Sequence, residues 1–267
     1  MPKISTILLT YNSLAYIEKC LDSLLETMPL VADEFEIIVI DNGSTDGCVD
    51  LLKDYSERYS EVYTHYFTEN KGTTVSRNVG LKQASGDYIL ILDSDAYVNR
   101  DALSELLALL NQNPEWGLIS PKLIYPDGRF QISVDTFPTF SRKLKRFLFL
   151  KEMEKSTGQY GHQQCVDYSI SAFWLIKKEV LDRVGLLDEK IFYSPEDVDY
   201  CIRVWKAGYK IVYEPSVYVV HDAQEISRGF KINKFTLSHA KGLLYLFLKH
   251  RYFLGLRRLY KDINRFA

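Results

Sequence analysis

The chain has 267 residues, of which 46% are apolar and 25% are charged. This composition is typical of globular proteins, and it excludes a disordered, collagen-like or coiled-coil chain. The net charge of −2 hides an asymmetry, since residues 228–267 carry +9 and the first 227 residues carry −11. The end of the chain therefore presents a different surface to its partners than the rest does.

The cysteines and the N-terminal residues indicate a cellular compartment. The four cysteines are far apart, with no Cys-x-x-Cys pair, which is not the spacing of a disulfide framework or a zinc site. The first apolar stretch is short and rich in β-branched residues, which predicts a buried strand and not a signal peptide. No window approaches the roughly 18 apolar residues of a membrane-spanning helix. We therefore expect a reduced, cytoplasmic protein, with a peripheral contact to the inner face of the membrane still open.

Strands and helices alternate in the first 95 residues. Apolar runs predict strands at 4–10, 35–40, 62–67 and 88–92, and a 3.6-residue period predicts helices at 14–28, 49–55 and 74–84. Buried strands separated by helices indicate βαβ units with right-handed crossovers. Ligands of such sheets bind beyond the carboxyl ends of the strands, where turns rich in aspartate occur at 41–46 and 93–95.

The second half of the chain is less regular. Its pattern predicts helices at 101–110, 178–184 and 195–207, and strands at 117–125, 173–176, 210–213 and 217–220. Residues 136–157 are basic and aromatic without a clear period, which predicts a long mobile loop. The predicted fold class is α/β, with a mainly parallel central sheet flanked by helices.

Asp93 and Asp95 flank Ser94 directly after a buried run. Two carboxylates at this spacing can hold Mg²⁺ or Mn²⁺ through oxygen and leave positions open for phosphate oxygens. A solvated turn with helix-capping aspartates is the alternative, and it is the commoner use of a lone Asp-x-Asp. The central strand before the pair places it in the ligand crevice, which favours the metal site.

The turn at residues 41–46 also follows a buried strand. The turn either leads into the N-cap of the next helix or binds a nucleotide base and its ribose through Asp41, Asn42 and Ser44. Together with the Asp93 and Asp95 pair, it indicates a nucleoside diphosphate bound across the sheet.

Asn70 and Gly72 form a turn into a helix that carries Arg77. A glycine-bearing turn with cations nearby suits an anionic phosphate at a helix N-terminus, whereas a solvated helix face is the alternative for Lys71. We expect Arg77 to bind phosphate. No Walker-type or Gly-x-Gly-x-x-Gly sequence is present, which argues against ATPases and dinucleotide-binding enzymes.

Three acids, Glu196, Asp197 and Asp199, open a predicted helix. Acids in a first turn stabilise the helix dipole by about 0.3–1 kcal/mol each, which is one explanation of them. The other is that Asp197, with Glu196 beside it, is a general base that takes a proton from an acceptor hydroxyl. His221 ends a predicted strand, and its imidazole either has a structural role or completes a metal shell.

In order and spacing, these motifs resemble the inverting family 2 glycosyltransferases with the GT-A fold, over residues 3–225. The matching pieces are Thr10-Tyr11-Asn12, the turn 41–46, Arg77-Asn78-x-Gly80, Gly86-Asp87-Tyr88, Asp93-Ser94-Asp95, Ser171-Ala172-Phe173-Trp174, Glu196-Asp197-x-Asp199 and His221. The second half is most similar to bacterial rhamnosyltransferase-type members, whereas Asn70-Lys71-Gly72 is nearer to other branches.

The resemblance implies a donor pocket for a UDP- or dTDP-sugar. Asp41 is similar in position to the residue that reads the pyrimidine ring. The other substrate-binding positions that the resemblance implies are Thr10, Tyr11, Asn12, Asn42, Ser44, Asn70, Gly72, Arg77, Asp93, Ser94 and Trp174.

The resemblance also implies a metal site and a mechanism. Asp95 matches the direct ligand of Mn²⁺ or Mg²⁺, Asp93 the position that faces ribose and metal, and His221 a metal or diphosphate contact. The cation would neutralise the departing nucleoside diphosphate, and Asp197 would deprotonate the attacking hydroxyl with Glu196 beside it. The implied reaction is a non-processive transfer to a saccharide acceptor in cell-surface polysaccharide synthesis.

The basic tail at residues 226–267 interleaves its charges with aromatic residues. A helix with an apolar face of Leu243, Leu244 and Phe247 lies in an anionic membrane interface, or it packs on the domain with a solvated basic face. Because residues 136–151 add a second basic and aromatic stretch, we favour membrane contact and a lipid-linked oligosaccharide acceptor. No nucleic-acid-binding module accompanies the charges, so we expect no nucleic-acid partner.

We divide the chain into a glycosyltransferase domain at 1–225, with a nucleotide-binding half at 1–95 and an acceptor-binding half at 96–225, and a basic helical extension at 226–267. Two alternatives remain open. A nucleotidyltransferase would require a glycine-rich basic loop after the first strand, which residues 10–13 do not form. A non-catalytic nucleotide-sugar or membrane-binding module would not need the carboxylates at 93, 95 and 197. No oligomeric state follows from the sequence.

Overall fold

The computed structural model describes residues 2–139, 141–143, 149, 160–223, 234–252 and 255–263, without the side chains of residues 234–237. Most of the predicted loop at 136–157 therefore lies outside the described residues, as do residues 224–233 at the start of the tail.

The described strands and helices alternate up to the middle of the chain. In chain order they are β1 Lys3–Thr10, α1 Leu14–Val31, β2 Glu34–Asp41, α2 Cys48–Arg58, β3 Val62–Tyr66, α3 Thr73–Gln83, β4 Tyr88–Asp93, β5 Ala96–Tyr97, α4 Arg100–Gln112 and β6 Trp116–Ile124. They continue with β7 Phe130–Gln131, β8 Val134–Asp135, β9 Gln164–Cys165, β10 Tyr168–Ser169, β11 Phe173–Lys177, α5 Lys178–Val184, α6 Glu196–Lys206, β12 Lys210–His221, α7 Lys234–His250 and α8 Arg257–Asp262.

The central sheet has the order β3-β2-β1-β4-β11-β6-β12-β5. Its first four strands are parallel, as the alternation of strands and helices predicts. Beyond them the sheet is mixed, because β11 runs antiparallel to both β4 and β6, while β12 runs parallel to β6. The α/β class is confirmed, and the parallel order holds for the nucleotide-binding half predicted from the sequence.

Strand register brings the aspartate turns to one edge of the sheet. Thr10 at the end of β1 pairs with Asp41 at the end of β2, and Leu9 pairs with Asp93 at the end of β4. The carboxyl ends of three neighbouring strands thus meet at the place where ligands bind in open α/β sheets.

The sheet is buried on both faces. Strand β1 shows why the sequence of such a strand is a continuous apolar run. Ile4 and Leu8 pack on the side of α1, α2 and α4, whereas Ile7 packs on the side of α3 and α6. Alternate residues of a strand point to opposite faces, so a strand covered on both faces is apolar at almost every position. Burying each aliphatic side chain contributes about 1.5–3 kcal/mol.

Helix α3 lies unusually close to the sheet at Gly80. A Cβ atom at this position would lie 2.9 Å from Ile7 Cγ2 and 3.1 Å from Ile40 Cδ1. The absence of a side chain at Gly80 lets the helix sit low on the sheet, and this fixes the height of Arg77 one turn earlier.

One strand differs from the sequence expectations, and one helix is capped from a distant turn. The predicted strands at 210–213 and 217–220 are one strand, β12, whose pairing with β6 shifts register between Glu214 and Tyr218. The start of α1 carries no hydrogen bond from the side chain of its N-cap residue, Ser13. Instead, the Leu14 N–H donates to Asp46 Oδ2 at 2.8 Å, so the turn after β2 caps this helix.

Helix α7 packs on the domain through a buried carboxylate. Lys249 Nζ lies 2.6 Å from Asp188 Oδ2 and 2.6 Å from Asp199 Oδ1, and His250 Nε2 lies 2.8 Å from the same Asp199 oxygen. Burial alone would raise the pKa of Asp199, but the His250 hydrogen bond and the charges of Arg203 and Lys249 hold it well below its usual range. One face of the basic tail is therefore bound to α6.

The same helix touches the segment before α6. A Cβ atom at Gly242 would lie 2.2 Å from the carbonyl oxygen of Ser194, so the backbone of α7 rests directly on this loop. No helix among the described residues is long and apolar enough to cross a membrane.

We predict that acid weakens the docking of α7. Burial, with help from Lys143, lowers the pKa of His239 to about 4, and burial lowers the pKa of His250 although Asp199 opposes it. Below about pH 6.5 the unfolded chain takes up protons that these folded rings resist, so the free energy of unfolding falls as the pH drops from 7 to 4.5. Urea unfolding at both pH values measures this.

The variant His239→Gln should lose less stability on acidification than the wild type. The matched control His162→Gln removes an exposed histidine and should keep the wild-type dependence. Equal acid sensitivity of His239→Gln and the wild type would contradict the assignment.

Candidate active site

A cleft of about 530 Å³ opens at the carboxyl ends of the parallel strands. Most of the residues predicted from the sequence line it: Tyr11, Asn12, Asn42, Asn70, Gly72, Arg77, Asp93, Ser94, Asp95, Glu196, Asp197 and His221. Thr10, Asp41, Ser44 and Trp174 are not among the lining residues. The fold thus gathers residues from six separate stretches of sequence into one cavity.

A cluster of residues that could hold a metal ion lies in this cleft. One ligand atom each from Asp93, Asp95 and His221 lie within 4.8 Å of one another, and Asp95 Oδ1 is 3.2 Å from His221 Nε2. Strand pairing produces this meeting, because His221 at the end of β12 pairs with Ala96 in β5. Two carboxylate oxygens and one imidazole nitrogen form a donor set that fits a divalent cation.

The charges of the cluster favour a cation as well. Burial raises the pKa of Asp93, and the neighbouring Asp95 raises it further, while Arg77 opposes both effects. Two carboxylates that share a buried site repel one another. A divalent cation between them would relieve that repulsion, so the residues present fit the metal that the family resemblance implies.

Arg77 lines the cleft from a buried position in the second turn of α3. The residue is 1% exposed, and its guanidinium is bound by protein partners. Nη2 donates to Asp93 Oδ1 at 2.5 Å and to the Ser171 carbonyl at 3.1 Å. Nη1 donates to Ser171 Oγ at 2.7 Å and lies 3.4 Å from Glu196 Oε1. Arg77 therefore connects the metal cluster to the start of α6.

The start of α6 carries the candidate base. Glu196 is buried, and its Oε1 accepts a hydrogen bond from Ser171 Oγ at 2.8 Å. Burial, with the charge of Asp197, raises the pKa of Glu196 to about 8 in spite of Arg77. Glu196 is buried and engaged by Ser171 and Arg77, so Asp197, the half-buried neighbour in the cleft, is the better candidate for the base.

Asp197 is held by its own helix. Its Oδ1 accepts the Val198 N–H at 2.8 Å, and Val198 is fully packed in the core. The helix begins one residue later than predicted, since Pro195 is the N-cap residue and makes no side-chain cap. A base on a helix whose opposite face is buried has little freedom to move.

The turn after β2 lies next to the cleft. Asp41 is fully buried, and its Oδ2 accepts the N–H groups of Gly43 at 3.1 Å and Ser44 at 3.0 Å. Its other oxygen, Oδ1, is buried and accepts no hydrogen bond from any described residue. Ser44 Oγ accepts the Asn12 N–H at 2.8 Å, which ties this turn to the end of β1. A buried acceptor without a donor is costly unless a ligand supplies one.

Asn42 and Asn70 both line the cleft and are joined by a hydrogen bond. Asn42 Nδ2 donates to Asn70 Oδ1 at 3.0 Å, and Asn42 Oδ1 accepts the Lys71 N–H at 2.8 Å. Gly72 follows with φ +87°, and a Cβ atom there would lie 2.4 Å from the Phe192 carbonyl oxygen. This position requires glycine, and it lets the loop before α6 close over the start of α3.

Trp174 does not reach the cleft. Its indole is fully buried, donates to the Ser169 carbonyl at 3.0 Å and stacks on Tyr200 with ring centroids 5.5 Å apart. Its assignment as a substrate-binding residue is therefore corrected to a core position between β11 and α6. Thr10 is also buried, at the end of β1.

Three residues of the site were not assigned from the sequence. Ser171 holds Arg77 and Glu196 together, Phe192 lines the cleft while 44% exposed, and Gln131 contacts His221. Ser171 belongs to a stretch that matches the family motifs, which was a usable signal. Nothing in the local sequence distinguishes Gln131 or Phe192.

We predict that Arg77→Met lowers the free energy of unfolding by about 3–5 kcal/mol. The substitution leaves the half-exposed carboxylate of Asp93 and the buried carboxyl of Glu196 without the buried guanidinium they share, and removing one partner of a buried ion pair costs that much. Urea denaturation measures the loss.

The matched control is Arg58→Met, which breaks an exposed pair with Asp54 on α2 and should change stability little. A similar small loss in both variants would show that Arg77 does not stabilise the site.

The sequence matches a known family and known proteins. The family model described as Glycosyl transferase family 2 matches residues 5–185. Poly(ribitol-phosphate) beta-N-acetylglucosaminyltransferase TarS of Staphylococcus aureus is 35% identical over 113 residues, which are 42% of this chain and 20% of TarS. Poly(ribitol-phosphate) beta-glucosyltransferase of Bacillus spizizenii is 43% identical over 103 residues, which are 38% of this chain and 16% of that protein. The chain thus spans a fifth or less of the length of these relatives.

A solved structure is similar over nearly the whole chain. The mannosyltransferase PcManGT from Pyrobaculum calidifontis, in complex with GDP-Man and Mn²⁺, matches with a TM-score of 0.67 at 21% identity. The match covers 99% of this chain and 68% of PcManGT. At this identity the likeness shows the fold, and it confirms the GT-A architecture expected from the sequence.

Proposed function

Because the chain belongs to glycosyl transferase family 2, we propose that it is an inverting, non-processive glycosyltransferase that uses a divalent cation. The donor is a UDP- or dTDP-sugar, and the acceptor is a saccharide. The observation that carries the proposal is the meeting, in one cleft, of the Asp93, Asp95 and His221 cluster with Asp197 at the start of α6.

Asp95, Asp93 and His221 are the residues that would hold Mn²⁺ or Mg²⁺. A cation bound there supplies positive charge that offsets the charge of a departing nucleoside diphosphate. The structure of PcManGT contains Mn²⁺ and a nucleotide sugar, which supports the same pairing of metal and donor in this chain.

The pyrimidine preference rests on the turn after β2. Asp41 Oδ1 accepts no hydrogen bond from the part of the chain that the structure describes, and the ring N–H of uracil or thymine is a donor. Asn12 and Tyr11 line the cleft next to this turn. A nucleotide held between Asp41 and the metal cluster would place its diphosphate at the carboxyl end of β4.

Asp197 then acts on the acceptor. Its carboxylate takes the proton of an acceptor hydroxyl as that oxygen bonds to the anomeric carbon of the donor. The bond from the anomeric carbon to the phosphate oxygen breaks on the opposite side, and the electron pair leaves with the nucleoside diphosphate. A single displacement of this kind inverts the anomeric configuration and needs no covalent enzyme intermediate.

The acceptor proposal is a growing cell-surface polysaccharide. The two curated relatives described above are named for transfer to poly(ribitol-phosphate), which supports a cell-wall polymer or a lipid-linked oligosaccharide as the acceptor class. A lipid-linked acceptor would require the protein to work at a membrane surface.

We predict that Asp197→Asn lowers kcat by about 10²–10⁴-fold, because the amide cannot accept the acceptor proton. Transfer with the preferred donor, measured by nucleoside diphosphate release in the presence of acceptor, gives kcat. Affinity for nucleotide and Mn²⁺, measured by calorimetry, should stay near the wild-type value.

Asp182→Asn, at an exposed position of α5, is the matched control and should transfer sugar like the wild type. Wild-type turnover in Asp197→Asn would remove Asp197 from the mechanism. Nucleotide-sugar binding without transfer by the wild type would favour the non-catalytic module instead.

The membrane part of the proposal rests on the outer face of the tail. Leu244 and Leu248 are each 57% exposed on successive turns of α7. The exposed basic residues nearby in sequence are Lys241, Arg251, Arg257, Arg258 and Lys261. Basic residues near an anionic membrane contribute about 1 kcal/mol each, and exposed leucines insert at its interface. We propose an anionic membrane, at the inner face, as the occupant of this surface.

We predict that Leu244→Ser combined with Leu248→Ser reduces binding to vesicles of phosphatidylcholine with phosphatidylserine by at least about tenfold, because two leucines no longer enter the interface. Cosedimentation with vesicles measures binding.

Leu30→Ser, which replaces an equally exposed leucine on α1, is the control and should bind like the wild type. Equal binding of wild type to vesicles with and without phosphatidylserine, or equal binding of the double variant, would contradict the membrane proposal.

A further inference from the structure

His221 has a buried hydrogen-bond partner on a neighbouring strand. Its Nδ1 lies 2.8 Å from Gln131 Oε1, and both side chains are almost fully buried, at 6% and 3% exposed. The opposite ring nitrogen, Nε2, is the atom that lies 3.2 Å from Asp95 Oδ1 in the metal-binding cluster. The two nitrogens of this ring thus face two different partners.

The sheet sets this contact. Gln131 in β7 pairs with Leu123 in β6, and the next residue of β6, Ile124, pairs with Val220 in β12, beside His221. Three adjacent strands therefore bring the amide and the imidazole together, although 90 residues separate them in the sequence. A contact built by strand register holds its geometry better than one made by a loop.

The chemistry of the pair selects one form of the ring. A glutamine Oε1 is only an acceptor, so the ring nitrogen that contacts it must carry a proton. A neutral imidazole protonated at Nδ1 has its lone pair on Nε2, which is the form that can bind a metal through Nε2. Glutamine thus fixes this form of the ring through its acceptor oxygen.

We propose that Gln131 is a positioning residue that holds His221 in the tautomer and orientation required for metal binding. The inference rests on the proposed function, since it assumes that the cluster binds a divalent cation. Gln131 lies outside the cluster and contacts His221, as Arg77 contacts Asp93. Losing the outer partner of a metal-binding histidine typically weakens metal affinity by about 10–100-fold.

The experiment titrates the full chain with Mn²⁺ alone and follows unbound Mn²⁺ by electron paramagnetic resonance. Gln131→Leu keeps a similar volume but has no acceptor, and it should raise the Kd for Mn²⁺ by at least about tenfold. Gln131→Glu keeps an acceptor oxygen and should bind Mn²⁺ within about threefold of the wild type or more tightly. Gln112→Leu, at an exposed end of α4, controls for the loss of a glutamine.

A double-mutant cycle separates positioning from general damage. If Gln131 acts through His221, then Gln131→Leu should weaken Mn²⁺ binding no further in a chain that already carries His221→Ala. A long-range ¹H–¹⁵N spectrum of the unsubstituted, metal-free chain should show His221 protonated at Nδ1, the nitrogen that faces the Gln131 acceptor.

The outcomes discriminate between the inference and the function on which it rests. Wild-type chain that fails to bind Mn²⁺ overturns the metal site and the role of Gln131 together. Wild-type binding with an unchanged Kd in Gln131→Leu, equal losses with and without His221, or an unprotonated Nδ1 overturns the role of Gln131 alone.

Discussion

The site depends on one buried cation. Arg77 lies in the interior with 1% of its surface exposed, and a guanidinium in such a place requires charged and polar partners to offset its lost hydration. Asp93, Ser171 and Glu196 supply them. Asp93 belongs to the candidate metal cluster, and Glu196 precedes the candidate base Asp197. Because Arg77 contacts both Asp93 and Glu196, the length of its side chain sets the distance between the cluster and the base.

The electrostatics of the cleft follow from this arrangement. The carboxyls of Asp93, Asp95, Glu196 and Asp197 converge on a single cavity, where burial raises the pKa of Glu196 to about 8. A nucleoside diphosphate would add further negative charge. Under the proposed function, a divalent cation at the cluster would offset this repulsion and allow the donor to bind, with Gln131 holding His221 in the form that binds the cation.

The sequence predicted the parts of this structure that local pattern determines. Apolar runs and aspartate turns placed β1, β2 and β4 and the ligand edge, because a strand buried on both faces leaves a distinct signature. The sequence did not predict which residues meet across the fold. A buried arginine such as Arg77 has the same local sequence pattern as a surface arginine. The place of Trp174 beside a functional motif did not distinguish a core indole from one in the cleft. The surface role of the basic tail was predicted from its charged and aromatic residues. In the structure Lys249 forms ion pairs with Asp188 and Asp199, whereas other basic residues of the tail are exposed.

Nucleoside diphosphate release by the wild-type chain, from a panel of UDP-, dTDP- and GDP-sugars with saccharide and lipid-linked acceptors, tests the central claim most directly. Each donor is assayed with Mn²⁺, with Mg²⁺ and with EDTA. The account predicts release from a UDP- or dTDP-sugar that depends on the added cation and stops in EDTA. Release that persists in EDTA would contradict the metal role of Asp93, Asp95 and His221, and no release from any donor would contradict the transferase itself.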